Sequence, residues 1–264
     1  MIRWKNAIIY LLLQFLVYIF LEPLDKKIFW TIVLAFLFLG MAMNIQNNIL
    51  DKEIDRHKAE FRDFDSHLYK RLSYFFLLLF LISLLYAYAS IYLFLTALFS
   101  AILLWLYNRY FKKTPFYGNF LVALVLAVSV VLPGWAAGFE TEEKYFVLMF
   151  LALYAFLLNL KRELIKDMED LKPDEKAGYR TLAILDLQMA QRYAVALSIV
   201  LLGVLFLIKS RLSPVSFWSL FVLTLWFTSL SSFYMKKNEF GKAASILKWN
   251  MLIGFILILT GLKM

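Results

Sequence analysis

The sequence contains no cysteine and only two histidines, His57 and His67. Disulfides and thiolate metal sites are therefore excluded, and two imidazoles are too few for a histidine-based zinc or iron site. Any metal this chain binds has to be held by oxygen. Charge is scarce too: 18% of the residues are charged, against about 25% in a soluble globular protein. The five prolines and nine glycines are few. Pro115, Gly118, Pro133, Gly134 and Pro214 fall at or near the ends of apolar runs, where membrane helices tolerate kinks. What the chain has instead is hydrocarbon, with 62% hydrophobic residues and a mean hydropathy of +0.72. It is an integral membrane protein. Its 264 residues suit one transmembrane domain over 1–264 better than two. The net charge of +9 reflects topology and anionic lipid in such a chain, so membrane lipid and no nucleic acid is the expected partner.

A spanning helix needs about 20 apolar residues. The runs Ala7–Leu21, Ile28–Leu50, Leu72–Ala89, Ser90–Tyr107, Phe120–Phe139, Tyr145–Leu160, Met189–Ile208, Pro214–Met235 and Ile246–Leu262 meet or approach that length. The third and fourth form one stretch too long for a single span, and a tight turn near Ala87–Ser90 divides it. The expectation is an all-α polytopic protein of nine transmembrane helices. The first run follows Arg3 and Lys5 without a small-residue cleavage site and is expected to stay as the first span.

Basic residues orient these spans. With the N-terminus inside, 20 of the 28 Lys and Arg lie on the inner side and six outside, with Arg192 in the seventh span and Lys248 in the ninth. This bias predicts a cytoplasmic N-terminus and a multi-pass protein of the plasma (inner) membrane.

Acids are concentrated more sharply. Of 19 Asp and Glu, 13 lie in two loops, one between spans two and three and the other between spans six and seven. In the first, Asn47, Asp51 and Asp55 stand at i, i+4 and i+8, which would put an amide and two carboxylates on one stripe of a helix. Like charges stacked at a membrane border repel, and a hard cation such as Mg²⁺ relieves them. The second loop carries Asp167, Asp170 and Asp174. Pro173 disfavours an α conformation at Lys172, which predicts that Asp170 and Asp174 straddle a break rather than share a helix face. Four spans separate the loops, so both are expected on the cytoplasmic side, converging on one cavity.

Such acids above an apolar bundle suit a substrate with a charged head and a greasy tail, and an isoprenoid diphosphate is one. Bound Mg²⁺ neutralises the leaving diphosphate, and a dry, aromatic-walled pocket protects the allylic cation. Asp51, Asp55, Asp170 and Asp174 are the candidate catalytic residues, and Asn47, Asp51, Asp55, Asp167, Asp170 and Asp174 the candidate metal ligands. Arg3, Asn6, Lys58, Tyr107, Lys112, Lys113, Arg162, Lys166 and Arg180 are candidate substrate-binding residues. Among them the cations suit phosphate, Arg as a bidentate donor and Lys as a point charge. Positive-inside topology alone would also put basic residues here. Asn159, Arg162 and Glu163 either line the cavity or pair with one another, and Gln14 in mid-span is expected to face the interior.

At this point the motifs resemble a known family. Asn47-xxx-Asp51-xxx-Asp55, followed by Arg56 and Lys58, resembles the first Asp-rich motif of the UbiA-type intramembrane prenyltransferases. Arg162-Glu163-x-x-Lys166-Asp167-x-x-Asp170-xxx-Asp174, leading into Gly178-x-Arg180-Thr181-Leu182, resembles the second. Tyr107, Lys112-Lys113-Thr114-Pro115 and Gly118-Asn119 are similar to the family's loop between spans four and five, and Arg3-x-x-Asn6 to its opening. The resemblance implies nine helices around a central cavity capped by cytoplasmic loops. It also implies Mg²⁺-dependent transfer of a prenyl group from an isoprenoid diphosphate to a lipophilic acceptor. Within the family the opening and the Arg-Glu-x-x-Lys-Asp run look most like the branch whose acceptor is geranylgeranylglyceryl phosphate, with an aromatic quinone precursor next. The chain departs from the pattern at Ala59–Asp65, which lacks proline, and at Pro173, where glycine is common.

Two other readings compete. A cation-coupled transporter needs ionisable residues in mid-span, and charge largely avoids the span centres here. A catalytically silent isoprenoid-binding protein would have no need of the full set of acids.

Overall fold

A computed structural model of the chain describes residues 4–52, 65–86, 91–138 and 141–262. Asp55, Lys58 and Arg3 lie outside the described residues, as does the turn expected at Ala87–Ser90. The elements are α1 (Trp4–Leu21), α2 (Lys26–Leu50), α3 (Ser66–Tyr86), α4 (Ile91–Arg109), α5 (Tyr117–Ala137) and α6 (Glu142–Glu169), then the short α7 (Leu171–Lys176) and α8 (Leu182–Leu185), and finally α9 (Leu187–Leu205), α10 (Pro214–Lys236) and α11 (Phe240–Thr260). Among the described residues, eight helices are long and apolar enough to cross a membrane, and α1 is a shorter apolar helix. These nine match the nine runs read from the sequence. A bilayer has no water for bare N–H and C=O groups, so each run satisfies its backbone within a helix.

Caps and charged turns account for where the boundaries differ. The third helix starts at Ser66 rather than Leu72 because Asp65 caps it, its Oδ1 accepting from His67 N (2.9 Å) and Leu68 N (3.2 Å). Those N–H groups, Leu68's first, hold the Asp65 carboxyl below the usual carboxylate range. Asp25 caps α2 and Asp186 caps α9 in the same way. Ser213 caps α10, with Pro214 in the first turn, where a missing N–H costs no hydrogen bond. The sixth helix runs on to Glu169, past the apolar limit at Leu160, because Arg, Glu, Lys and Asp are tolerated in helices and simply carry the helix out of the apolar layer.

The chain divides into two compact units, one of residues 1–112 and 128–141, the other of residues 113–127 and 142–264. In the first unit α2 is central, packing on α1, α3 and α4 and burying Phe29, Ile32, Phe36, Leu39 and Met43 at helical spacing. Gln14 is fully buried here and donates to the Ser129 carbonyl (2.8 Å), which bears out the interior placement expected of it. In the second unit α6 is central, packing on α9 and α11, while α10 packs on α9 and α11.

The core of the second unit is close-packed around Tyr154. Its hydroxyl bonds Thr224 Oγ1 (3.1 Å) and accepts no slack, since Asn250 Oδ1 is 2.9 Å away. Gly254 lies against the ring so closely that an added Cβ would meet Tyr154 Cε1 and Oη at 2.5 Å. Gly254→Ala should therefore destabilise the folded protein by about 1–3 kcal/mol, as overpacked cores do. Thermal unfolding followed by intrinsic fluorescence would show a lowered Tm, and an unchanged Tm would mean that the ring yields freely.

Candidate active site

The first acidic group stands at the C-terminal end of α2. The helix ends at Leu50, and Asp51 is its C-cap, its N–H still donating to the Asn47 carbonyl at 2.9 Å. Asn47 and Asp51 are thus one turn apart, as their spacing predicts. The Asp51 carboxylate is only 4% exposed and forms an ion pair with the Lys112 ammonium. Lys112, a candidate for phosphate, is brought onto this carboxylate. Asn47 Oδ1 is buried and has no hydrogen-bond partner among the described residues. A buried acceptor left unpaired costs about 1–3 kcal/mol, so its presence beside a buried carboxylate points to a donor or cation that binds there. Asn6 and Tyr107 are half-buried in the same unit.

The second group lies where α6 leaves the bundle. Asn159, Arg162, Glu163, Lys166, Asp167 and Asp170 recur at three- and four-residue steps, which places them on one face. Glu163 is buried and accepts from both Arg162 Nη1 (2.5 Å) and Lys166 Nζ (2.6 Å). Arg162 Nη1 also reaches Asn159 Oδ1 at 3.4 Å. The pairing alternative raised for these residues is therefore realised. Two cations share that one acid, and Arg162 Nε is buried without a partner among the described residues. Asp167 Oδ2 accepts from Asn119 Nδ2 at 2.9 Å, which fixes this carboxylate from the start of α5.

The break in the second motif falls at Asp170, not at Lys172 as the proline predicts. Asp170 is the N-cap of α7, and Asp174 sits in its first turn, its N–H donating to the Asp170 carbonyl at 2.9 Å. Pro173 takes a place in the first turn, where no intrahelical N–H is required, so the helix accommodates it. The break thus lies at Asp170, ahead of the turn that joins the two acids, and they stand one turn apart at the start of α7 instead of straddling it as expected. Asp174 is 6% exposed. Its carbonyl closes the end of α7 by accepting from Tyr179 N (3.0 Å), with Gly178 in the left-handed region at φ +73°. The glycine of the motif is thus needed by the turn.

That turn brings Arg180 against Lys113, which ends the 3₁₀ turn after α4. Arg180 N donates to the Lys113 carbonyl (2.9 Å), and Lys113 Nζ lies 5.3 Å from the ring centroid of the buried Tyr179. Both basic side chains are exposed. Two polar residues here, Asn119 and Thr181, belong to the motifs but are not among the candidate site residues, since nothing in their spacing marks them. Yet Thr181 is 1% exposed, and its Oγ1 has no partner among the described residues.

No ring of three acidic or histidine side chains able to hold a metal forms among the described residues, which exclude Asp55. The donor chemistry nonetheless fits a hard cation. Every available ligand is oxygen, Asn47 supplies an unpaired buried acceptor, and Asp51, Asp167 and Asp174 supply carboxylates in sheltered positions.

Just past the apolar limit at Leu160, Lys161 of α6 is 1% exposed. Its ammonium donates to Ser198 Oγ (2.7 Å) and the Thr228 carbonyl (3.3 Å). Lys161 falls on the α9 and α10 side of α6 rather than on the acidic face, since it is out of step with residues 159, 163 and 166. Both its partners are neutral oxygens, so it cross-links three helices and forms no relay of ionisable groups.

The sequence model of the UbiA prenyltransferase family matches residues 8–252, nearly the whole chain. The chain belongs to that family. A digeranylgeranylglyceryl phosphate synthase of Saccharolobus solfataricus is 36% identical over 163 residues, 59% of this chain and 56% of that relative. The chain thus spans little more than half the length of that curated relative. The fold is similar to that of a UbiA homologue from Aeropyrum pernix, with a TM-score of 0.74 at 16% identity, covering 98% of this chain and 97% of that one. It is also similar to a UbiA homologue from Archaeoglobus fulgidus bound to GPP and Mg²⁺, with a TM-score of 0.62 at 15% identity and 97% of each chain covered. The UbiA fold that the motifs implied is the fold observed.

Proposed function

We propose that this protein is a Mg²⁺-dependent intramembrane prenyltransferase that moves a prenyl group from an isoprenoid diphosphate to a lipophilic acceptor. The observation that carries this reading is the unpaired Asn47 Oδ1 beside the buried Asp51 carboxylate, at a span end of a chain in this family. Asn47, Asp51 and Asp55 would form one ligand group for Mg²⁺ and a diphosphate oxygen, and Asp167, Asp170 and Asp174 a second. Bound Mg²⁺ neutralises the diphosphate as the allylic C–O bond breaks. Lys112 pairs with Asp51 and fixes its position, and Asn119 positions Asp167 by a hydrogen bond. Arg162 and Lys166, both paired with Glu163, are the cations of this face suited to a phosphate oxygen. Lys113 and Arg180, exposed on two loops joined by a backbone hydrogen bond, are placed to meet the diphosphate. The acceptor oxygen bonds to C1 of the prenyl group, diphosphate departs, and the acceptor's hydroxyl proton is lost.

The acceptor is geranylgeranylglyceryl phosphate on this reading. Its support is the likeness to relatives named as digeranylgeranylglyceryl phosphate synthases and the Arg-Glu-x-x-Lys-Asp run at Arg162–Asp167. The excess of basic residues supports a cytoplasmic placement of the N-terminus and the acidic loops. A competition assay tests the acceptor. Purified protein given Mg²⁺, geranylgeranyl diphosphate and equal amounts of geranylgeranylglyceryl phosphate and a phenolic quinone precursor should prenylate the lipid alcohol. Predominant prenylation of the phenol would transfer the protein to the quinone branch.

A further inference from the structure

The far end of the second unit from its acids carries a cavity of its own. Helix α6 is about 42 Å long at 1.5 Å per residue, and its two ends are Glu142 and Glu169. At the Glu142 end, Glu143 Oε1 accepts from Arg211 Nη1 at 3.0 Å. The α9–α10 connection, a 3₁₀ turn over Phe206–Arg211, is thereby fixed at the end opposite Asp167, Asp170 and Asp174. A cavity of about 410 Å³ opens there, lined chiefly by Phe206, Lys209, Ser210, Leu212, Phe217 and Trp218. That volume lies within the range of small-molecule sites, about 300–1,000 Å³.

Its walls are held from outside. Ser213 N donates to the Gly261 carbonyl (2.9 Å), and Leu212 forms a β-bridge with Leu262. Gly261 abuts Ser216 so closely that a Cβ there would collide. The rings of Phe206, Phe217 and Trp218 pack edge to face, with centroids 5.4 Å (Phe206–Phe217) and 5.2 Å (Phe217–Trp218) apart.

The charge in this cavity has one sign. Lys209 Nζ stands 5.7 Å from the Phe206 ring and 5.6 Å from the Phe217 ring, and no acidic side chain lines the cavity. Arg211, two residues on, is neutralised by Glu143 and lies 5.0 Å over the Phe146 ring, so it adds no net charge. An interfacial aromatic belt places rings at a membrane border, but it requires neither a cavity nor a cation among the rings.

We propose that this cavity binds a phospholipid whose headgroup carries net negative charge, its phosphate on Lys209 and the start of its chains against Phe206, Phe217 and Trp218. The cavity sits where α9 ends and α10 begins, at the border where a lipid's phosphate meets its chains. A water-soluble anion has no use for the three rings. A zwitterionic lipid brings its own cation up to Lys209 and gains less. The site is independent of the acidic groups and of the transfer reaction.

Lipid retention tests this directly. Wild-type protein and the variants Lys209→Ala, Lys209→Arg, Trp218→Ala and Lys236→Ala are embedded in nanodiscs of equal phosphatidylglycerol and phosphatidylcholine. They are then released into detergent, and the lipids retained are counted by native mass spectrometry. The wild type should keep phosphatidylglycerol in preference to phosphatidylcholine. Lys209→Ala should lower that retention about fivefold, the share of one interfacial cation. Trp218→Ala should lower it too, Lys209→Arg should restore it, and Lys236→Ala, at the other end of α10, should leave it unchanged. Thermal unfolding of each variant confirms that it is folded. Equal retention of the two lipids, no loss in Lys209→Ala, or an equal loss in Lys236→Ala would overturn the proposal. So would full displacement of the lipid by inorganic phosphate.

Discussion

Asp51→Asn lowers prenyl transfer by the purified protein at least about 100-fold, and Asp174→Asn does the same, since each removes charge that stabilises a departing diphosphate. Asparagine is the informative replacement because it keeps the volume and one acceptor oxygen and removes only the charge. Asp51 is 4% exposed and Asp174 6% exposed, so truncation to alanine would mix loss of function with loss of packing. Lys112 can still donate to the asparagine oxygen, which keeps the α2 terminus tied to the loop after α4. The rate of radiolabelled product formation and the Tm are measured together. A loss of rate with the Tm held within a few degrees is the expected pair. Near-normal turnover in both variants would remove the acids from the chemistry.

Chelating Mg²⁺ abolishes turnover, and Mn²⁺ or Mg²⁺ restores it. Acids without a counterion would repel a diphosphate, because the interaction of like charges grows as a site dries. Full activity in excess chelator would contradict this. The local contribution of Asn47 is separable from activity. Its Oδ1 is a buried acceptor with nothing to accept from, so Asn47→Leu relieves a penalty in the metal-free protein and leaves its Tm equal to the wild type's or higher. A ligand that binds only the folded state raises the Tm, so millimolar Mg²⁺ with a prenyl diphosphate should raise it in the wild type. That increment should shrink in Asn47→Leu. An equal increment in both proteins would take Asn47 out of the ligand set.

The spans were legible in the sequence because hydrocarbon leaves a chain few choices. An apolar run of the right length has to be a helix, and among the described residues the nine runs fall in nine helices. Their ends were less legible, since Asp65 capping α3 and the charged turns that prolong α6 to Glu169 obey local rules that hydropathy does not record. Within the site, what depends on spacing along one helix was readable: Asn47 one turn from Asp51, and the acidic face of α6. What depends on tertiary contact was not. Lys112 reaches Asp51 from 61 residues away, Asn119 reaches Asp167 from 48, and Lys161 finds Ser198 across 37. No periodicity links such pairs. The proline rule misplaced the break in the second motif because it concerns φ and ψ at one residue. A new helix starting at Asp170 provided a first turn in which proline fits.

Product analysis tests the central claim most directly. Purified protein in nanodiscs is incubated with Mg²⁺, radiolabelled geranylgeranyl diphosphate and geranylgeranylglyceryl phosphate, and both products are quantified. The account predicts a doubly prenylated glyceryl phosphate ether and diphosphate in equal amounts, neither formed by Asp51→Asn. Diphosphate released without a prenylated acceptor, across lipid and phenolic acceptors alike, or no consumption of the prenyl diphosphate at all, would contradict it.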